Sequence, residues 1–324
     1  MQKLTLTATA EMARQYWQLF VNRRAYTRQS KKPHPESGRH YYFRPKAKAV
    51  DVKAALTLST IRQHLEGRLT IGLYAINPQT QRSKWVAIDA DYKDSLADLL
   101  KLQYELWQDG VHPALEKSRR GGHLWIFFQR PVLARDARVY IYHLAERLNL
   151  SVKGAGLPEG IEIFPRQDEL APEEFGNALR GPLGVHWGSR KRYWFYDADY
   201  EPAEQLAYLR KLPKLSEEEL RRFIDGKSIP VQYQPAPVNR ATIEGRSGSR
   251  NGEFCILEYV EAKRKVGRNW VTQCPSCAMN GHDNSGDNLA VLASNPRYYK
   301  CWAGCTKEMI RAAVGKPIPE RRLA

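Results

Sequence analysis

The chain has 324 residues, which is long enough for two domains, the larger with a sizeable core. Lys and Arg outnumber Asp and Glu by 51 to 35, and the formal net charge of +16 favours a polyanionic partner, most simply nucleic acid, over a basic one. The sequence shows no signal peptide and no apolar run of membrane-spanning length, and four of its five cysteines are spaced as metal ligands, so we expect a cytoplasmic protein with no membrane partner.

The first part of the chain combines regular elements with a strongly basic stretch. Residues 10–22 have helical spacing, with apolar side chains on one face. We expect the stretch that follows, to about residue 47, to be irregular because it is rich in Lys, Arg, Pro, Tyr and His. A short helix over residues 57–65, capped by Thr or Ser, and a strand over residues 70–76 complete this part.

The central part of the chain alternates strands and helices in a recognisable order. The predicted elements are a strand at 84–88, a helix at 95–107, strands at 112–117 and 123–128, a helix at 132–149 and a strand at 161–164. This order, β-α-β-β-α-β, is typical of ferredoxin-like and RNA-recognition folds of the α/β (α+β) class. In that fold the first and third strands are central neighbours, the fourth flanks the first, and helices cover one face and leave the other open.

Four polar side chains are predicted to converge on the open face, because side chains alternate along a strand and the aliphatic residues fix which set lies under the helices. These are Asp89, Asp91, His123 and Glu162, with Asp168 as an alternative third acid. A lone Asp-x-Asp pair at a strand end is more often a solvated turn, but convergence of the acids with an imidazole favours a site for Mg²⁺ or Mn²⁺. Such sites serve phosphoryl transfer.

Two basic stretches that contain glycine offer groups for binding phosphate. The turn before the 123–128 strand carries Ser118, Arg119, Arg120, Gly122 and His123. Later candidates for nucleotide binding are Arg166, Asn177, Arg180 and His186. The first stretch could also be a hairpin turn with solvated arginines. For residues 176–186, contact with a triphosphate or template and simple closure of the domain are equally compatible with the sequence.

Two other functions are compatible with the same elements. A binding protein without chemistry would use Trp125 and Phe127 of the open face as stacking platforms. The acids argue against that, because carboxylates in the middle of a binding face repel phosphate unless metals are present. A metal-dependent nuclease is the other alternative, although the sequence offers no obvious water-activating base beyond His123.

These segments resemble the three motifs of the archaeo-eukaryotic primase superfamily, and most closely the primase-polymerases of prokaryotic mobile elements and defence systems. The resemblance covers roughly residues 19–192 and lies in Asp89-x-Asp91, in residues 118–123 before HLWIFF, and in the acid of IEIFPRQ. It implies a template-dependent DNA primase or polymerase that transfers a nucleotidyl group from an NTP or dNTP to a 3′-hydroxyl. It also implies acids that bind Mg²⁺ or Mn²⁺ and a His123 that contacts the incoming nucleotide.

The same resemblance implies the partners of the protein. They are a single-stranded DNA template, an RNA or DNA primer on that template, the NTP or dNTP, and a helicase or other replication proteins.

The C-terminal part carries all five cysteines and follows a stretch rich in Pro, Gly, Ser and Arg. We therefore predict a catalytic domain at 1–227, a linker at 228–250 and a zinc-binding domain at 251–324. The ligands predicted for a structural, tetrahedral Zn²⁺ are Cys274, Cys277, Cys301 and Cys305. His282 could replace one of them, most plausibly Cys277. A hairpin over residues 288–300 would bring the pairs together, and a last helix spans 306–314.

This module resembles the zinc-binding domain of bacterial and plasmid-type primases, which implies a role in holding template. The side chains that would supply stacking and phosphate contacts are Arg297, Tyr298, Tyr299, Lys300 and Trp302.

Overall fold

The computed structural model describes residues 7–35, 37–46, 54–153, 159–230, 233, 254–261, 264–266, 269–279, 286–293 and 295–318. The chain divides into two compact units, Met1–Val152 with Gly160–Val231, and Lys153–Glu159 with Gln232–Ala324. Most of the predicted linker lies outside the described residues, so the division into a catalytic domain, a linker and a zinc-binding domain stays a prediction. None of the described helices has both the length and the apolar character that crossing a membrane requires.

The N-terminal part of the larger unit contains two helices and three short strands. These are α1 (Ala10–Phe20), β1 (Tyr26–Gln29), β2 (Tyr42–Phe43), α2 (Leu58–Leu65) and β3 (Ile71–Tyr74). A threonine caps the N-terminus of each helix: Thr9 accepts a hydrogen bond from the Met12 amide, and Thr57 accepts one from the Thr60 amide. The basic stretch is therefore not wholly irregular: it contributes β1 and β2, which are too short to show a clear alternation.

The central sheet has the predicted order of elements. It consists of β4 (Arg82–Ala90), α3 (Ser95–Gln108), β5 (Ala114–Lys117), β6 (Gly122–Leu133), α4 (Ala134–Arg147) and β7 (Glu162–Phe164). The strands lie in the order β5-β6-β4-β7 and every pair is antiparallel. The predicted α/β class and the central position of the first and third strands are confirmed. Helices α3 and α4 pack against β4 and β6.

The opposite face of the central sheet is covered where we predicted that it is open. Trp125 and Phe127 are buried, and the Phe20 ring of α1 lies 5.4 and 5.5 Å from theirs. The Trp85 indole also donates to the Phe20 carbonyl at 2.9 Å. Helix α1 has an apolar face that needs burial, with Tyr16 at its centre, and this sheet face provides it. Only the end of the face that carries the acids lies beyond this core.

The remainder of the larger unit extends the N-terminal sheet. It contains β8 (Ala178–Arg180), β9 (Val185–His186), β10 (Lys191–Arg192), α5 (Pro202–Lys211) and α6 (Glu217–Ile224). The second sheet has the order β2-β1-β3-β8, so β8, part of the stretch at 176–186, is an edge strand. The segment after β8 packs on His64, whose Nε2 lies 2.8 Å from the Pro182 carbonyl oxygen. A Cβ at Gly184 would lie 1.9 Å from the same ring, so only glycine allows this approach.

The second unit is a small antiparallel sheet with two short helices. Its elements are β11 (Arg264–Val266), β12 (Asn269–Thr272), α7 (Pro275–Met279), β13 (Leu289–Leu292), β14 (Tyr299–Cys301) and α8 (Lys307–Ala313). Strands β13 and β14 form the predicted hairpin, and the last helix begins after Thr306, which accepts from the Met309 amide. The core of this unit contains Leu289, Val291 and Ile310 together with the cysteines.

Candidate active site and cysteine cluster

Three of the predicted site residues lie side by side on three adjacent strands. Asp89 near the end of β4 is the register partner of His123 on β6 and of Glu162 on β7. The His123 Nε2 lies 3.4 Å from Asp89 Oδ1. Asp91 follows two residues later, so its side chain leaves the strand on the same side as that of Asp89. The structure thus brings two carboxylates and an imidazole together beside a third acid.

One carboxylate oxygen of Asp89 accepts no hydrogen bond from the described residues. Its Oδ1 is buried and has no hydrogen-bond partner among the described residues, since the contact with His123 lacks the geometry of one. The pKa of Asp89 is raised to about 6, chiefly by burial; the charge of His123 lowers it, and those of Asp91 and Glu162 raise it. A buried carboxylate oxygen without a donor is costly, and either a cation or a proton would satisfy it.

Asp91 is held by the turn that precedes β6. Its Oδ1 accepts a hydrogen bond from Ser118 at 3.0 Å, and its Oδ2 accepts one from Arg120 Nη2 at 2.7 Å. Burial alone would raise the pKa of Asp91, but the bonds and charge of Arg120 and the bond from Ser118 lower it. The turn is tight, because a Cβ at Gly121 would lie 1.9 Å from the Ala90 carbonyl oxygen. Arg119 and Arg120 are both exposed, and Arg120 is paired with Asp91.

Glu116 on β5 was not predicted as a site residue, yet it is completely buried beside the acids. Its Oε2 accepts hydrogen bonds from His123 Nδ1 at 2.7 Å and from Trp125 Nε1 at 3.1 Å. Its Oε1 accepts one from Arg180 Nη2 at 2.5 Å. Burial would raise the pKa of Glu116, but Arg180 and His123 together lower it. The sequence did contain a signal for Glu116. It is an acid inside an apolar strand that pairs with the His123 strand, and such an acid needs a buried partner.

This network sets the orientation of the imidazole. Glu116 is the ionised acceptor, so His123 Nδ1 carries a proton and Nε2 faces Asp89. Burial would lower the pKa of His123, but the carboxylates of Glu116 and Asp89 outweigh burial and raise it. Gly122, which precedes the histidine at the start of β6, keeps the backbone close to β5: a Cβ there would lie 2.9 Å from the Glu116 carbonyl oxygen.

The residues of the second basic stretch have different surroundings. Arg180, whose side chain is 8% exposed, is engaged by Glu116 and is therefore not a free phosphate ligand. His186 Nδ1 accepts a hydrogen bond from the Ser189 amide at 3.1 Å. Burial lowers the pKa of His186 to about 4, assisted by the nearby Arg180 and Arg119, so this imidazole is neutral.

Three further candidates lie along the chain after β7. Arg166 donates to Glu162 Oε2 at 3.3 Å, and Asn177 accepts from the Gln167 amide at 2.7 Å. Asp168, the alternative third acid, pairs with Arg138 of α4. The geometry therefore assigns Glu162, and not Asp168, to the position opposite Asp89.

The four cysteines predicted as ligands form a compact cluster in the second unit. The Sγ atoms of Cys274, Cys277, Cys301 and Cys305 all lie within 4.8 Å of one another, and within the described ranges no other group of three or more potential ligands does so. Cys277 Sγ lies 3.5 Å from Cys301 Sγ and 3.3 Å from Cys305 Sγ. Tetrahedral thiolates around Zn²⁺, with bonds of about 2.3 Å, are about 3.8 Å apart. The cluster could therefore hold one ion; His282 lies outside the described residues.

The aromatic side chains of the hairpin divide into two sets. Tyr298 and Trp302 are 49% and 63% exposed, and Lys300 Nζ lies 5.9 Å from the centre of the Trp302 ring. Tyr299 is buried against Phe254 in the core, so it cannot offer a stacking surface as predicted.

Comparison with known proteins gives one family and two solved structures. A family model described as "TOTE conflict system, Archaeo-Eukaryotic Primase domain" matches residues 14–223. No curated protein sequence shows significant similarity to the chain. The structure is similar to the polymerase domain of Mycobacterium tuberculosis Ligase D in complex with DNA, with 14% identity over 68% of this chain and 88% of that chain and a TM-score of 0.28.

It is also similar to the catalytic domain of primase Repb′ in complex with initiator DNA, with 9% identity over 67% of this chain and 93% of that chain and a TM-score of 0.33. At these identities and scores neither structure carries an argument about activity.

Proposed function

The chain belongs to the archaeo-eukaryotic primase family of TOTE conflict systems, and from that premise we propose that it is a template-dependent DNA primase or polymerase. In this reaction the 3′-hydroxyl of a strand attacks the α-phosphate of an NTP or dNTP and pyrophosphate leaves. The observation that carries the proposal is the in-register set of Asp89, His123 and Glu162, with a buried Asp89 oxygen that has no donor among the described residues.

The acids are suited to divalent cations of the hard type. Asp89, Asp91 and Glu162 would hold Mg²⁺ or Mn²⁺, and the unsatisfied Asp89 Oδ1 supports that assignment. When bound, such an ion supplies positive charge to the phosphates and lowers the pKa of the attacking hydroxyl. Asp91 is turned toward Arg120 and Ser118, so its carboxylate would have to exchange these donors to act as a ligand.

The chain's own donors would orient the nucleotide. His123 has Glu116 behind it, so its Nε2 is directed toward the acids at a fixed orientation and can contact a phosphate oxygen. Arg119 is exposed near the same turn, and the Arg120 guanidinium would become available to phosphate when Asp91 exchanges donors. These groups would position the triphosphate and stabilise the charge that develops on it.

We propose that the second unit binds Zn²⁺ through its four cysteines and contacts the single-stranded DNA template. Exposed Tyr298 and Trp302, with Lys300 beside the latter, provide stacking and phosphate contacts. A helicase or another replication protein as a partner, a primer on the template and a cytoplasmic location remain part of the proposal.

A binding protein without chemistry is a weaker candidate. Its stacking platforms would be Trp125 and Phe127, and both rings are buried under α1. Asp89 and Asp91 at this end of the sheet would repel nucleic acid when no cation is bound.

Primer extension and de novo priming on single-stranded DNA, with Mg²⁺ or Mn²⁺ and with NTPs or dNTPs supplied separately, test the proposal. We expect synthesis by the wild type, loss of about 10³-fold or more in Asp89→Asn, and wild-type rates in the control Asp199→Asn, an exposed acid before α5. No synthesis by the wild type under any of these conditions, with equal DNA binding by wild type and Asp89→Asn, would identify a binding protein. Degradation of labelled DNA with metal and no nucleotide would identify a nuclease.

A further inference from the structure

Two adjoining cavities lie at the C-terminal end of α1, in the larger unit. The first has a volume of about 570 Å³ and the second about 480 Å³. Trp17 and Arg24 line both, so the cavities are two parts of one groove. None of the described residues that line either part is acidic. Each volume is in the range of pockets that hold a small organic ligand.

The first cavity is cationic. Arg23, Arg24 and Lys84 line it together with polar amides. Lys84 is half-buried and its Nζ contacts the Trp17 carbonyl oxygen at 3.3 Å. Within the part of the chain that the structure describes, none of these three cations pairs with a carboxylate; Arg23 donates to the Glu174 carbonyl oxygen. Arg23 and Lys84 are half-buried, whereas Arg24 is exposed. Partly buried positive charge without a counter-charge is unfavourable, and an anion in the cavity would compensate that of Arg23 and Lys84.

Lys84 lies at an irregularity of the central sheet. The register between β4 and β6 shifts between Ser83 and Trp85, and Lys84 has no register partner on β6. Its amide donates instead to Asn22 Oδ1 at 2.8 Å, and Asn22 Nδ2 donates to Ser83 Oγ at 3.4 Å. Burial lowers the pKa of the Lys84 ammonium, as expected for a cation held away from water.

The second cavity is mainly apolar. Leu56, Leu58 and the ring of Trp17 line it, and Leu58 is 39% exposed at the start of α2. A flat aromatic group could pack between these side chains while remaining attached to a phosphate beside Arg24. An inorganic anion would use only the cationic half.

We propose that the groove is a second binding site for a nucleoside phosphate, with the phosphate at Arg24 and Lys84 and the base against Trp17 and Leu58. It is separate from the acids, because Lys84 and Asp89 are five residues apart on one strand, which corresponds to about 16 Å. The phosphate could belong to a free nucleotide or to a nucleic-acid strand. The proposal stands independently of the proposed catalytic activity.

Binding measurements on the full chain, without added Mg²⁺ or Mn²⁺, test the site. The probes are AMP, inorganic phosphate and a ten-nucleotide single-stranded DNA, and the variants are Lys84→Met, Arg24→Met and Leu58→Ala. Lys101→Met is the control, because it removes the same charge from an exposed lysine of α3. We expect Kd for AMP or for the oligonucleotide to rise roughly tenfold or more in Lys84→Met and Arg24→Met, the loss of a charged hydrogen bond, and to change less than twofold in the control.

The probe that shows this loss identifies the source of the phosphate: AMP for a free nucleotide, the oligonucleotide alone for a strand. Leu58→Ala should weaken AMP or oligonucleotide binding and leave inorganic phosphate unchanged. Equal Kd values in Lys84→Met, Arg24→Met and the control for both organic probes would overturn the proposal. Inorganic phosphate that binds as tightly as AMP would overturn the assignment of the base. Since synthesis is measured separately, failure here leaves the catalytic proposal standing.

Discussion

Glu116→Gln removes one charge from a buried network and keeps its shape. The carboxylate accepts from Arg180, His123 and Trp125, and the glutamine would retain a single acceptor oxygen. The new amide NH₂ group is a donor and would face other donors. In addition, the neutral glutamine leaves the buried Arg180 guanidinium without a counter-charge. Removing one partner of a buried ion pair costs about 3–5 kcal/mol. Because one acceptor remains, we expect a loss of about 2–4 kcal/mol in the free energy of unfolding of the larger unit.

For a unit of this size that loss corresponds to a fall in Tm of about 5–12 °C. Thermal unfolding of the full chain measures it, with Glu11→Gln, an exposed acid of α1, as the control whose Tm should stay close to that of the wild type. The double variant Glu116→Gln with Arg180→Gln should lose clearly less than the sum of the single losses, because the unpaired cation is then absent. A Glu116→Gln protein as stable as the control, or additive losses, would refute the buried ion pair.

The same substitution should also act on stability through pH and on the reaction. The folded-state pKa of Glu116 is lowered, so its contribution is present above the unfolded-state pKa and is lost as pH falls through the folded-state value. The stability difference between wild type and Glu116→Gln should thus shrink in acid. Since the glutamine offers one neutral acceptor oxygen to three donors, His123 is oriented less firmly, and we expect kcat for the proposed nucleotide addition to fall about 10–100-fold, as for the removal of such a partner.

Three further outcomes follow from the geometry. Gly121→Ala should lower stability and synthesis together, because its Cβ would meet the Ala90 carbonyl oxygen at 1.9 Å; a melting temperature equal to wild type would contradict this tight turn. Cys301→Ser should lower the bound zinc, measured by elemental analysis, and unfold the second unit while the transition of the larger unit stays unchanged; a full equivalent of zinc in the variant would refute the cluster as a metal site. Trp302→Ala should raise the Kd for single-stranded DNA about tenfold, from the loss of about 1–3 kcal/mol of stacking, whereas unchanged binding would remove Trp302 from the template surface.

Local patterns in the sequence predicted the central sheet well. The alternation of apolar residues along β4, β6 and β7 determined which side chains share a face, and a Thr or Ser cap located the start of α2. Those signals act between near neighbours in the chain. Side-chain parity, combined with the strand order typical of the fold, was the basis for predicting that Asp89, His123 and Glu162 lie together.

Long-range contacts were beyond such patterns. The packing of α1 on Trp125 is a contact between residues about a hundred positions apart, and no periodicity in either segment specifies its partner. Glu116 was missed for a related reason, because its partner Arg180 lies on a three-residue strand in a stretch for which we predicted phosphate contact or closure of the domain, and no strand. Tertiary contacts decide which carboxylate pairs with which cation in the core. Neither segment of the sequence identifies Glu116 and Arg180 as partners.

The hydrogen bond between Glu116 and Arg180 joins the two four-stranded sheets of the larger unit at the point where the chemistry is proposed. An excised β-α-β-β-α-β segment would therefore contain every acid and the imidazole but would lack the guanidinium that neutralises the carboxylate behind it. The smallest fragment that can retain activity must extend at least from α1 through β8. Insertions that separate the sheets should inactivate the protein even when each sheet still forms.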